Sequence, residues 1–85
     1  MKYYLYILRS KTIAKYYIGI SQNPERRLIY HNTLEKGFTK RYRPWEIVCI
    51  KEFNRKDQAL KAERKLKNWK NKRMIEKVIT GEIKI

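Results

Sequence analysis

Two tyrosine-rich segments near the start of the chain, at residues 3–8 and 16–20, are closely followed by an arginine. Arg27 lies ten residues after Tyr17. Hydroxyl groups on a sheet that face a guanidinium from the next helix form a surface able to bind and orient a phosphate. The spacing therefore points to phosphate chemistry.

Arg27 and His31 are predicted to lie one turn apart on the helix after the second tyrosine segment, since positions i and i+4 share a face. A guanidinium and an imidazole so placed can both reach one phosphate. The alternative is a solvated helix edge, which is the commoner reason for an Arg-x-x-x-His pair. Taken alone, the pair favours that alternative.

A carboxylate, Glu63, falls at the edge of an apolar helical stripe centred between Ala62 and Leu66. Such a group is partly desolvated, and burying a charge without a partner is costly, so a cation or a metal should lie nearby. Periodicity slightly favours a salt bridge over a metal site. The candidate partners in such a bridge are Arg64, Lys67 and Arg27.

The first half of the chain predicts a hairpin followed by a helix. Residues 3–9 and 16–21 read as two strands joined by a short turn. Asn23, Pro24 and Glu25 are typical of a helix start, with an N-cap, a first-turn proline and an acid. We expect this helix to reach residue 34 or 35 and Gly37 to end it.

The second half predicts a basic, aromatic loop over residues 37–44 and a third strand over residues 45–53. A second helix, capped by Asn54 or Asp57, should break at residues 68–72. A short third helix should stop near Gly81. The fold class is therefore α+β: a small three-stranded antiparallel sheet flanked by helices, in the order ββα-β-αα.

Within the second strand, Tyr17, Gly19 and Ser21 share one face by the period of two, and Ile18 and Ile20 share the other. The aliphatic pair predicts that the Ile18 face lies on the core, which turns Tyr17 toward a cleft or solvent. Gly19 would let another backbone or a phosphate approach closely.

The charge is strongly unbalanced, with 22 Lys and Arg against 8 Asp and Glu and a formal net charge of +14. Such a field attracts polyanions, nucleic acid first among them. A basic solubilising surface or attraction to anionic membranes is the alternative. The residues expected to contact nucleic acid are Lys40, Arg41, Arg43, Arg64, Lys67 and Lys70.

The length of 85 residues suits one domain spanning residues 1–85 with one modest core. Cys49 is the single cysteine, which excludes an internal disulfide, and it lies in an apolar run typical of a small buried hydrophobe. The chain has no signal-peptide pattern and no apolar run long enough for a bilayer. We therefore expect a cytoplasmic protein without a membrane partner.

The ordered set of motifs resembles the GIY-YIG nuclease family over nearly the whole chain. The matching residues are Tyr4-Leu5-Tyr6, Tyr17-Ile18-Gly19, Arg27, His31 and Glu63. The chain looks like the short stand-alone branch, similar to the N-terminal nuclease module of the bacterial excision-repair endonuclease. It departs from the pattern at Tyr4, where the family name has Gly, and at Ile20, where that module carries a lysine.

The resemblance implies a metal-dependent endonuclease that hydrolyses phosphodiester bonds in DNA, in repair or recombination. By the resemblance, Glu63 would bind Mg²⁺ or Mn²⁺ and Arg27 would neutralise developing charge. Tyr17, assisted by Tyr6 or His31, would orient or deprotonate the attacking water. Whether Tyr17 or His31 takes the proton stays open.

Two other functions fit the same residues. The first is a nucleic-acid-binding module of the same fold without turnover, and the second is a subunit whose basic helices contact an acidic protein. The acid at Glu63 argues against pure binding, because binding alone needs no carboxylate in a basic field. A homodimer or a repair-complex partner also stays open.

Overall fold

Three strands and four helices make up the described part of the protein, which in this computed structural model is residues 1–69 and 71–85. Lys70, one of the predicted phosphate contacts, lies outside the described residues. In chain order the elements are β1 (Tyr3–Ser10), β2 (Tyr16–Ser21), α1 (Pro24–Thr33), α2 (Phe38–Arg41), β3 (Trp45–Phe53), α3 (Lys56–Trp69) and α4 (Lys72–Thr80).

The sheet is antiparallel and has the order β2-β1-β3, which confirms the predicted three-stranded sheet. The central strand β1 pairs with β2 so that Tyr6 lies opposite Gly19 and Leu8 opposite Tyr17. Because side chains alternate along each strand, this register puts Tyr6, Gly19 and Tyr17 on the same face of the sheet.

Both faces of the sheet are buried. The predicted core face carries Leu5, Ile7 and Ile18 and packs against α3 and α4, as the period-two pattern indicated. The opposite face is also covered, and Tyr6 and Trp45 form its buried centre. The site residues on the Tyr6 face therefore belong to a second core and do not simply face solvent.

Helix α1 begins as predicted. The Asn23 side chain accepts a hydrogen bond from Arg26 N at 3.1 Å, and Pro24 occupies the first turn. The Asn32 amide fixes the helix to the sheet, since Trp45 N donates to Asn32 Oδ1 at 2.6 Å and Asn32 Nδ2 donates to Trp45 O at 3.1 Å. This pair of bonds sets how α1 lies over the Tyr6 face.

The end of α1 differs from the prediction. The helix ends at Thr33, with Leu34 as its C-cap, and Gly37 instead precedes α2 in the segment predicted as a loop. The guanidinium of Arg43 bonds to this segment, since its Nε donates to His31 O in the last turn at 2.7 Å and its Nη2 donates to Glu35 O just beyond the helix. A side chain distant in sequence thus satisfies carbonyls at the helix end that lack a partner.

The last two helices follow the predicted break. Helix α3 begins at Lys56, so Asp57 lies within its first turn, and Asn54 Oδ1 accepts from Lys2 Nζ; the expected caps are displaced. Helix α4 ends as predicted at Gly81, whose φ of 88° is the left-handed conformation that glycine favours. No helix within residues 1–69 and 71–85 combines the length and apolar character needed to cross a membrane.

Candidate active site

An open cleft of about 410 Å³ lies at the edge of β2, between α1 and α3. Four of the five predicted catalytic residues line it: Tyr6, Tyr17, Arg27 and Glu63. They come from β1, β2, α1 and α3, which are far apart in sequence. The fold therefore brings together the hydroxyls, the guanidinium and the carboxylate that the sequence singled out.

Gly19 makes room for Tyr6. A Cβ at position 19 would lie 2.5 Å from the Tyr6 hydroxyl and 2.6 Å from its Cζ. No real Cβ tolerates such contacts, so the tyrosine ring occupies the space. The expectation that a backbone or a phosphate fills it is wrong for this structure, because the register places the ring directly over the glycine.

Tyr6 is held by a buried polar chain. Its side chain is 1% exposed, and its Oη lies 3.1 Å from His31 Nε2. His31 is fully buried, and its Nδ1 lies 3.0 Å from Thr39 Oγ1. Trp45 Nε1 donates to the Thr39 carbonyl at 2.6 Å, so this series of hydrogen bonds ends at a buried core residue.

The protonation states of Tyr6 and His31 follow from their burial. Burial lowers the pKa of His31 below its ordinary value, and the nearby Arg27 charge acts in the same direction. Burial raises the pKa of Tyr6, although Arg27 opposes the rise. At neutral pH the pair is therefore a neutral imidazole and a protonated phenol.

His31 is the predicted catalytic residue that the cleft does not include. With no solvent exposure, it meets the site through Tyr6 Oη and through the ring of Tyr17, whose centroid lies 4.6 Å from its own. The structure thus places His31 behind the two tyrosines, where it can hold both rings.

Tyr17 is half-buried, which makes it the more accessible of the two tyrosine hydroxyls. Arg27 lies at the same cleft, with its guanidinium carbon 4.3 Å from the centroid of the Tyr30 ring. Among the described residues, Arg27 forms no salt bridge. Its charge is therefore free to meet an anion in the cleft.

Glu63 has the partner that periodicity allowed. Its Oε2 lies 3.2 Å from Lys67 Nζ, one turn along α3, and its side chain is only 19% exposed. Lys67 is itself exposed, and such bridges contribute little stability, so the carboxylate can exchange its partner. The predicted salt bridge is confirmed, and it leaves an oxygen donor beside the cleft.

A divalent metal fits this donor only with help from the substrate. Within the described part of the chain, no group of three or more His, Cys, Asp or Glu side chains is arranged to hold a metal. Mg²⁺ prefers oxygen ligands and keeps several waters, so Glu63 with water and phosphate oxygens is a chemically sufficient set. The residues present fit a metal bound together with its substrate.

The predicted phosphate contacts divide into two groups. Lys40 and Arg41 on α2 and Arg64 and Lys67 on α3 are exposed, as a contact with a polyanion needs. Arg43 instead is half-buried and bonded to the end of α1. No sequence pattern indicated that Arg43 would bond to the backbone. Its carbonyl partners can be identified only when the end of α1 is known.

Lys56 is a cleft residue that was not among the predicted contacts. It could have been found from helical spacing, since Lys56, Leu60 and Glu63 follow the i, i+4, i+7 pattern and share one face of α3. Lys56 places a cation on the α3 side of the cleft, opposite Arg27.

Comparison with known proteins agrees with this geometry. Residues 2–77 match the family model described as the GIY-YIG catalytic domain. UPF0213 protein SSP2268 of Staphylococcus saprophyticus is 31% identical over 94% of this chain and 98% of that protein. Structure-specific endonuclease subunit SLX1 of Phaeosphaeria nodorum is 44% identical over 88% of this chain and 22% of that protein. The solution NMR structure of UPF0213 protein BH0048 from Bacillus halodurans has a TM-score of 0.60 at 27% identity, covering 94% and 84% of the two chains.

The chain therefore belongs to the GIY-YIG nuclease family, as its motifs predicted. Its α+β fold is that of the Bacillus halodurans structure. The chain spans about a fifth of the length of the fungal SLX1 proteins it matches.

Proposed function

We propose that this protein is an endonuclease that hydrolyses phosphodiester bonds in DNA with Mg²⁺ or Mn²⁺. The observation that carries the proposal is the convergence of Tyr17, Arg27 and Glu63 on one open cleft of a chain with net charge +14. A binding surface needs cations alone, whereas hydrolysis also needs groups that handle a proton and a metal.

Arg27 binds the scissile phosphate and neutralises the charge that develops on its non-bridging oxygens. Lys56 supports it from the α3 side of the same cleft. Because Arg27 stacks on Tyr30, its guanidinium is held in place before the substrate arrives. Pre-positioned charge stabilises a transition state more than charge that must first be ordered.

Tyr17 orients the attacking water and takes its proton. This assignment favours Tyr17 over His31, because the imidazole is buried behind Tyr6 and has no exposed atom. Arg27 lies at the same cleft and supplies positive charge beside the reacting atoms. Tyr6 stays protonated and shares a hydrogen bond with His31 Nε2, while His31 positions Tyr6 and the Tyr17 ring.

Glu63 would hold the divalent ion, with Lys67 released to the solvent or to a phosphate. When bound there, the ion would polarise the phosphate and stabilise the leaving oxygen. Sequence-independent affinity comes from the exposed cations Lys40, Arg41, Arg64 and Lys67, which can neutralise backbone phosphates.

A partner protein is part of this proposal. The SLX1 relatives are named as subunits of a structure-specific endonuclease, and this chain matches only about a fifth of their length. A second copy of the chain or a repair protein would then select the target, while the cleft performs the hydrolysis.

The proposal is tested by cleavage of labelled duplex, nicked and forked DNA and of RNA, each with Mg²⁺, Mn²⁺ or a chelator. Glu63→Gln keeps the size of the side chain, so this variant should bind DNA as the wild type does. Its cleavage rate should be lower by about 100-fold or more. Glu82→Gln is the matched control, since it removes an exposed carboxylate outside the cleft.

Two outcomes would count against the proposal. Wild-type rates in Glu63→Gln would remove the metal assignment. Tight binding of every substrate without cleavage by the wild type would favour the binding module of the same fold.

A further inference from the structure

A second concave surface adjoins the cleft along α1. It encloses about 550 Å³, within the range of about 300–1,000 Å³ typical of ligand sites. The two concavities share Ser21, Gln22 and Arg27 in their linings, so they adjoin each other at these residues. We call this second concavity the α1 pocket, and its outer wall is Ile29, Tyr30 and Leu34.

The outer wall of the α1 pocket is apolar, whereas the rest of its lining is polar or charged. Ile29 on α1 is 63% exposed and Leu34 at its C-cap is 67% exposed, so two large aliphatic side chains face solvent here. Tyr30 adds an aromatic ring, over which Arg27 is stacked. Aliphatic side chains beside a stacked ring and guanidinium suit a flat aromatic ligand that carries an anion.

We propose that the α1 pocket binds an unpaired nucleobase of the DNA strand whose phosphate lies on Arg27. This inference rests on the proposed function, since it takes the cleft as the phosphate site. One nucleotide places its base and its phosphate in neighbouring positions, which matches two concavities joined at Arg27. The guanidinium would bind the phosphate by its N–H groups and the base by its plane.

The proposal names a class of substrate. A base inside a duplex is stacked and paired, so it cannot enter a pocket beside its own phosphate without leaving the helix. A strand with an unpaired nucleotide next to the cleavage position would fit without that cost. Flaps, forks and single-stranded segments have such nucleotides, and a continuous duplex does not.

The test measures binding in a chelator, so that no strand is cut. The probes are a short fluorescein-labelled single-stranded DNA and the same strand with every base replaced by an abasic tetrahydrofuran. Fluorescence anisotropy should show that the wild type binds the strand with bases about tenfold more tightly. The double variant Ile29→Ser, Leu34→Ser should reduce that preference about threefold or more, with little change for the abasic strand.

Controls separate the pocket from the fold and from the proposed function. Ile13→Ser removes another exposed aliphatic residue, 43% exposed and outside both concavities, and should keep the full preference. Tyr30→Leu should lose the preference by a second route. Equal binding of the two strands by the wild type, or an unchanged preference in the double variant, would overturn the pocket alone and point to a protein partner for Ile29 and Leu34. Failure to bind either strand would overturn the proposed function as well.

Discussion

The two faces of the sheet are built from different chemistry. The α3 and α4 face is aliphatic, with Leu5, Ile7 and Leu66 at its centre. The α1 face is aromatic and polar, and its buried groups are joined by hydrogen bonds from Tyr6 through His31 to Thr39. Apolar packing on the first face stabilises the fold without fixing the orientation of particular side chains. The hydrogen bonds on the second face fix the orientation of each side chain, and they make the loss of any one partner costly.

This difference explains how the site is assembled at the edge of β2. The polar face holds the tyrosines in fixed orientations, and the aliphatic face anchors α3, whose Glu63 reaches the cleft from the other side of the sheet. Substitutions on the aliphatic face should therefore reduce stability, and those on the polar face should reduce activity as well.

The largest stability effect is expected at Leu66, which is 1% exposed in the aliphatic core. Leu66→Ala should lower the free energy of unfolding by about 3 kcal/mol, because it removes buried methyl groups and leaves a cavity. Urea unfolding measures the loss. Cleavage per folded molecule should stay near the wild-type rate, and a large fall in that rate would break the distinction between the faces.

Gly19→Ala tests the polar face, where the new Cβ would collide with the Tyr6 hydroxyl. Overpacking should cost about 2 kcal/mol and should also slow cleavage, since Tyr6 is bonded to His31 and cannot move freely. Gly37→Ala is the control, because its Cβ would meet only Glu35 Oε1 at 3.4 Å. A stable, fully active Gly19→Ala protein would show that the packing of Tyr6 is not needed.

The smallest effect concerns pH. The lowered pKa of His31 means that the unfolded chain takes up a proton near the ordinary value of 6.5, which the folded protein resists. The stabilisation is therefore fully present above that pH and is lost as the pH falls toward the lowered pKa, by at most about 1.4 kcal/mol per pH unit. Urea unfolding at several pH values should show this slope in the wild type.

The single histidine makes the control simple. His31→Gln keeps a polar side chain that can hydrogen-bond but does not titrate, so the slope between pH 6.5 and pH 5 should become flatter. The same slope in both proteins would mean that other groups control the acid sensitivity.

Most of the fold followed from the sequence because its signals are local. The hairpin, the α1 cap at Asn23 and the α4 stop at Gly81 depend on neighbouring residues alone. The end of α1 did not follow, since Arg43 returns from a later segment to bond there, and no local signal indicated α2. Long-range side-chain contacts of this kind have no periodic signature.

The site residues were predictable by type and less so by role. Spacing and family motifs pointed to Tyr17, Arg27 and Glu63, and the structure brings all three to one cleft. The burial of His31 was hidden, because its stripe on α1 resembles a solvated edge until Tyr6 and Thr39 close over it. The reason for Gly19 was hidden too, since it depends on the register with β1.

Single-turnover cleavage by Tyr17→Phe tests most directly whether this cleft is a hydrolytic site. The substitution removes one half-buried hydroxyl and leaves the ring that packs on His31, so folding should be unchanged. We expect unchanged DNA binding and a rate about 100-fold lower at saturating Mg²⁺. A folded Tyr17→Phe protein that cuts at the wild-type rate would contradict the proposal that Tyr17 handles the proton in this cleft.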